Sequence, residues 1–174
     1  LGLTHPHLLR ASSLTSAGPA LFLAGDLGAA RRRFDEALAE PGAQYSLYRI
    51  HLLGSLALLE AWAGRLRLAA AISQEALDLA AETRLLAHPS PADAFLAAAL
   101  AAIERGTPSA AATPLHEGAL RAAANHRTQL MWIAHLTRVL SEGDVVDPVD
   151  PLPSTPPPIV AAAVSYTHLR AHET

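Results

Sequence analysis

The chain contains no cysteine and no lysine. The first absence rules out disulfides and thiolate metal sites and fits a reducing compartment. The second leaves arginine as the whole of its 13 basic residues, so a P-loop lysine, a Schiff-base lysine and a Ser-Lys dyad are all impossible. Aromatic residues make up only 5%. A formal net charge of −3 gives no global field that would draw the chain to nucleic acid or an anionic membrane. The longest apolar run, residues 94–103, has ten residues, about half of the ~20 that span a bilayer. No basic-then-apolar leader follows Leu1, and an opening on Leu rather than Met sets the expectation that the N-terminus is incomplete.

Hydrophobic residues reach 51%, most of them Ala and Leu. Both are strong helix formers, and Ala lets helices approach closely. Richness in Ala, Pro, Gly and Arg points by composition to a GC-rich bacterial genome.

A glycine recurs with similar followers. Gly25-Asp26-Leu27 precedes Ala30, Phe34 and Ala37; Gly64-Arg65-Leu66 precedes Ala69, Ser73 and Ala76; Gly106-Thr107-Pro108 precedes Ala111, Leu115 and Gly118. Gly143-Asp144 opens a fourth time. The intervals of 39, 42 and 37 residues are those of helical hairpins, each too small to bury its own apolar face. The fold class is therefore an all-α solenoid of stacked αα-hairpins, a scaffold that holds partners more often than it performs chemistry.

Helices are expected over 8–24, 27–39, 45–63, 66–86, 92–105, 109–124 and 127–142. Asp26 is placed to cap the second, and Ser90 to cap the fifth with Pro91 in its first turn. Pro114 is expected to kink the sixth. Ala30, Ala69 and Ala111 are expected where two helices touch, and Leu52, Leu56, Leu59, Leu66, Leu77, Leu96 and Leu100 in the core. Residues 145–158 hold six of the 13 prolines and cannot form a regular helix. Residues 159–163 read as the first turn of another helix, and 145–174 are expected not to pack against the repeats.

Around the turn glycines the small and apolar residues Gly18, Leu21, Gly25, Ala30, Phe34 and Ala37 stand at tetratricopeptide offsets, with Phe95 and Trp132 at the aromatic opening position of later units. The period exceeds that family's roughly 34 residues and resembles the helical-repeat region of the large ATP-dependent LuxR-type bacterial regulators, the MalT-like group. The runs 88–96, 104–106 and 124–132 are similar to a stretch common in actinobacterial members. The resemblance covers residues 18–163. It implies an ATP-binding module before the repeats and a helix-turn-helix after them, neither of which is in this chain. Residues 164–174 resemble, without a mismatch, one reading frame of a transposase mosaic-end and sequencing adapter. The organisation expected is thus 1–143 repeats, 144–163 a proline-rich loop and the start of a helix, and 164–174 a tail foreign to the gene.

Catalytic signatures are missing. Gly54-Ser55 lacks the second glycine of a nucleophile elbow. Of the nine histidines, His116, His126 and His135 have no carboxylate at helix-face spacing, His5 and His7 stand near a free end, and His168 and His172 fall in the foreign tail, so no metal is expected. Arg31-Arg32-Arg33 reads as a solvated face pairing with Asp35 and Glu36. By tetratricopeptide offsets His51, Trp62, Asp93 and Glu104 point to the concave groove, a mixture suited to peptide or small-ligand recognition. Trp62 could equally pack between neighbouring hairpins. The expectation is a cytoplasmic sensing or protein-interaction segment, without enzymatic activity, cofactor, membrane contact or DNA binding of its own. Its partner is a protein or a small-molecule inducer. The alternative is a free-standing tetratricopeptide adaptor.

Overall fold

Ala-Leu segments punctuated by turns give seven α-helices in the computed structural model, which describes residues 5–142, 152 and 155–163. They are α1 (His5–Leu23), α2 (Leu27–Ala39), α3 (Ser46–Trp62), α4 (Leu66–Glu82), α5 (Ala92–Glu104), α6 (Ala112–Ala124) and α7 (Thr128–Glu142). Short 3-10 turns at Pro41–Gln44 and Pro108–Ala110 and a helical turn over 158–163 complete the described structure, which contains no strand. The all-α expectation holds, and the helices stack as consecutive hairpins.

Two layers result. In the inner layer α1, α3, α5 and α7 pack in succession; α2, α4 and α6 each lean on the inner helices beside them and make no substantial contact with one another. The central pair α3 and α5 is buried nearly all round, from Leu52 to Ala61 without a break in α3 and at nine positions of α5. A helix apolar on every side belongs inside. The two approach closely at Gly54, where an added Cβ would lie 2.9 Å from the backbone nitrogen of Ala94.

The recurring small residues carry the outer layer. Ala30, Ala69 and Ala111 are all fully buried, as the repeat predicts. Four residues on, Phe34, Ser73 and Leu115 are buried as well. Ser73 is tolerated among apolar neighbours because its hydroxyl donates to the Ala70 carbonyl at 3.0 Å, leaving no unpaired polar group.

Five turns share one geometry. Gly25, Gly64 and Gly106 take φ of 91°, 76° and 78°, and Arg84 and His126 take 60° and 52°. After each, the next N–H reaches back five residues: Asp26 to Leu21, Arg65 to Glu60, Leu85 to Ala80, Thr107 to Ala102 and Arg127 to Ala122. This is the Schellman closure, which requires the left-handed conformation. Glycine adopts it freely; at Arg84 and His126 a Cβ costs ~1–2 kcal/mol.

Several local expectations change. Asp26 does cap α2, accepting from the Ala29 N–H at 2.9 Å. Ser90 does not cap α5: Pro91 occupies that position, and the Ser90 hydroxyl sits 2.9 Å from Nδ1 of His88 instead. Pro114 does not kink α6. The helix starts at Ala112, so Pro114 falls in the first turn, where backbone N–H groups have no intrahelical acceptor to lose. The fourth helix stops at Glu82 rather than 86, because Arg84 turns left-handed. The expected first turn of a helix near 159–163 is present, but it packs. Ile159 is 7% exposed and Val160 fully buried, both in the main core cluster. Each such burial contributes ~1.5–3 kcal/mol relative to exposure. The expectation that nothing beyond 145 packs is therefore corrected for 158–163, whereas residues 164–174 lie outside the described residues.

Two substitutions test this packing. Ala69→Leu should overfill the α3–α4 contact and lower unfolding stability by ~1–3 kcal/mol. His126→Gly should raise it by about 1 kcal/mol, since the exposed imidazole is exchanged for a residue at ease with positive φ. Urea unfolding monitored by circular dichroism reads both. An unchanged midpoint for the first, or a lowered one for the second, contradicts the geometry.

Candidate functional site

The inner helices carry two buried carboxylates in a largely apolar interior. Glu60, fully buried on α3, accepts from Arg31 of α2 and from Arg65 at the start of α4. Asp93, 3% exposed at the start of α5, accepts from Arg127 Nη1 at 2.6 Å and from the Ser55 hydroxyl at 3.3 Å. His51 Nδ1 lies 3.6 Å from the same carboxylate. Burial pushes the Asp93 carboxyl up, but Arg127 and His51 outweigh it and hold Asp93 well below the usual carboxylate range. Removing one partner from such a site strands the others, at a cost of ~3–5 kcal/mol.

A cavity of about 650 Å³ opens where the C-terminal ends of α3, α5 and α7 meet. Ala61, Trp62, Leu66, Leu100, Glu104, Leu136, Thr137, Leu140 and Ala163 line it. The walls are aliphatic apart from the indole, the Thr137 hydroxyl and one carboxylate. Thr137 is satisfied internally, donating to the Ile133 carbonyl at 2.7 Å. Glu104 is exposed and makes no ion pair among the described residues. Such an arrangement can take an apolar body and hold a cationic group at its rim. A smaller cavity of about 240 Å³ lies between α1, α3 and the start of α7, and Ser55, Asp93, Arg127 and Gln129 give it a polar side.

The four residues singled out from sequence therefore separate. Trp62 and Glu104 share the larger cavity. Trp62 also packs between hairpins: its ring meets Phe22 of α1 edge-on at 5.9 Å, which joins the first hairpin to the second. Asp93 borders the smaller cavity with its carboxylate already engaged, and His51 stands behind it, half-buried, bordering neither cavity. Leu66, expected in the core, is half-buried and belongs to the cavity wall.

Other contributors escaped the sequence reading. Glu60 stands alone among Leu56 to Trp62, and a lone acid in an apolar run was the available signal. Its partner Arg31 is 29 residues away, and the same arginine also pairs with Asp35 at 3.1 Å. Arg33 pairs with Glu36 at 2.6 Å, so the basic triplet is partly the solvated face expected and partly an anchor. Arg127 had no local signal, since its carboxylate lies on another helix. Among the described residues no group of three His, Asp or Glu is placed to hold a metal ion, and no helix is long and apolar enough to cross a membrane. Comparison with protein-family models, with curated proteins and with solved structures gives no match to this chain.

The titrating groups predict the acid response. On α7, burial and then the nearby Arg138 lower the pKa of His135. The unfolded chain then binds the proton more readily, so stability is complete above the ordinary histidine value of about 6.5 and falls as pH drops through it. Asp93 behaves otherwise: its contribution, complete above about 3.9, is lost only as pH falls to its depressed folded value. The urea midpoint should fall between about pH 7.5 and 5.5, and His135→Gln should flatten that slope. A variant that keeps the full slope would show that another group is responsible.

Proposed function

We propose that this chain is the helical-repeat sensing or protein-interaction segment of a LuxR-type, MalT-like transcriptional regulator. Its mechanism is binding. An inducer or partner protein seats in the groove of the inner helices and favours one arrangement of the stack. That arrangement then biases nucleotide-binding and DNA-binding modules carried elsewhere in the parent protein. The observation that carries the reading is the cavity in which Trp62 and Glu104 converge, formed by the ends of three successive inner helices. A ligand there touches several hairpins at once and so reports on how they sit together. The stacked-hairpin architecture and the tetratricopeptide-like offsets support the same reading, although a fold by itself does not specify a function.

A cytoplasmic location accords with the absence of cysteine and with a DNA-bound parent. The nearest other reading, a tetratricopeptide adaptor that works alone, uses the same groove and differs only in what flanks it.

The coding sequence of the parent gene separates the two. The regulator requires a nucleotide-binding motif upstream and a helix-turn-helix downstream; their absence selects the adaptor. The chain itself should not read DNA, because its formal net charge is −3 and Arg31 and Arg33 are tied to acids. In an anisotropy titration at physiological salt the chain should bind duplex DNA no more tightly than the ~10⁻⁴–10⁻⁶ M of nonspecific complexes. Sequence-selective, submicromolar binding would overturn the assignment of the repeats as sensor.

A further inference from the structure

The groove of the inner helices is already occupied by part of this chain. Residues 155–158 lie between the end of α1 and the start of α7, bordering a cavity of about 390 Å³ together with Leu23, Gln129 and Trp132. The helical turn that follows buries Ile159 and Val160 and delivers Ala163 to the wall of the 650 Å³ cavity. A six-residue helical turn thus bridges two cavities. The fit is imperfect in one respect. The indole Nε1 of Trp132, beside the proline segment, is buried with no hydrogen-bond partner among the described residues.

We propose that residues 155–163 are a displaceable resident of the groove, exchanged for an amphipathic helix of a partner protein. The partner helix is longer, presents branched aliphatic side chains to Trp62, Leu66, Leu100, Leu136 and Leu140, and carries a basic residue opposite Glu104. Three observations specify it. The resident is itself helical and enters with an Ile-Val pair. The cavity whose wall Ala163 reaches is lined by leucines. The one carboxylate at its rim makes no ion pair among the described residues. The proline-rich sequence from 145 to 158 keeps the resident covalently attached, so it competes at a high effective concentration and sets a threshold for the partner. The proposal rests on the groove being the binding face of the repeats.

The test uses the full chain and a labelled synthetic peptide carrying residues 155–163 followed by one added turn with two leucines and an arginine. Ile159→Asp combined with Val160→Asp releases the resident. The peptide should bind the released variant about tenfold or more tightly than it binds the intact chain, and Glu104→Gln should weaken that binding. Equal affinity for both chains would overturn the exchange while leaving the groove as the binding face. Binding to neither folded chain would count against the helical partner, and binding of only a small apolar probe such as 1-anilinonaphthalene-8-sulfonate would select an inducer pocket instead. Loss of the helical circular dichroism signal on release would make 158–163 an integral part of the core and also refute the proposal. Hydrogen exchange on the intact chain gives an independent reading. Amides of 161–163 should exchange through an opening that leaves α3 and α5 protected; exchange only by global unfolding would contradict displacement.

Discussion

Two buried carboxylates hold the stack in register. Seams of alanine and leucine pack densely but discriminate poorly between neighbouring alignments, because one small apolar residue replaces another when a helix slides. Glu60 removes that freedom between the first and second hairpins: its two oxygens engage Arg31 on α2 and Arg65 at the start of α4. Asp93 does the same further along, joining α5 to Ser55 on α3 and to Arg127 at the start of α7. A shift of either helix by one residue would leave a charge buried without its partner, which costs far more than a displaced methyl group. We infer that these pairs supply specificity of alignment rather than net stability.

This alignment shapes the groove. α3 and α5 are fixed by carboxylates near opposite ends of the pair, and the cavity of Trp62 and Glu104 lies where their C-terminal ends meet α7. The two acids at the start and end of α5 therefore play different parts. Asp93 is engaged by Arg127 and Ser55 and serves the scaffold; Glu104 is exposed and makes no ion pair among the described residues. The resident turn at 158–163 lies across the same surface, so whatever enters the groove must contend with the chain's own Ile159 and Val160.

The sequence disclosed the architecture through residues whose chemistry is local. Gly25, Gly64 and Gly106 announced left-handed turns, Asp26 announced a cap, and Ala30, Ala69 and Ala111 marked close helix contacts; each depends on a few neighbouring residues. The turns at Arg84 and His126 were hidden because an unfavourable residue occupies the glycine position and tertiary packing supports the strain. Pro114 misled for a boundary reason: a shift of the helix start by three residues turns a helix breaker into an acceptable first-turn residue. Repeat offsets pointed to Trp62 and Glu104, which line one cavity. The partners of Asp93 were not, since Ser55 and Arg127 are 38 and 34 residues away and nothing local ties them together. The packing of Ile159 and Val160 was concealed by the prolines before them, which forbid a helix only up to Pro158.

The central claim is that Asp93 and Arg127 act as one unit across the stack. A double-mutant cycle on Asp93→Ala and Arg127→Ala, read by equilibrium urea unfolding, measures it directly. If the pair fixes the register of α5 against α7, the double variant should be less destabilised than the two single effects together imply, by ~1–3 kcal/mol. Single effects that add to within ~0.3–0.5 kcal/mol would show that the two side chains do not act on each other, and the account of the register would fail.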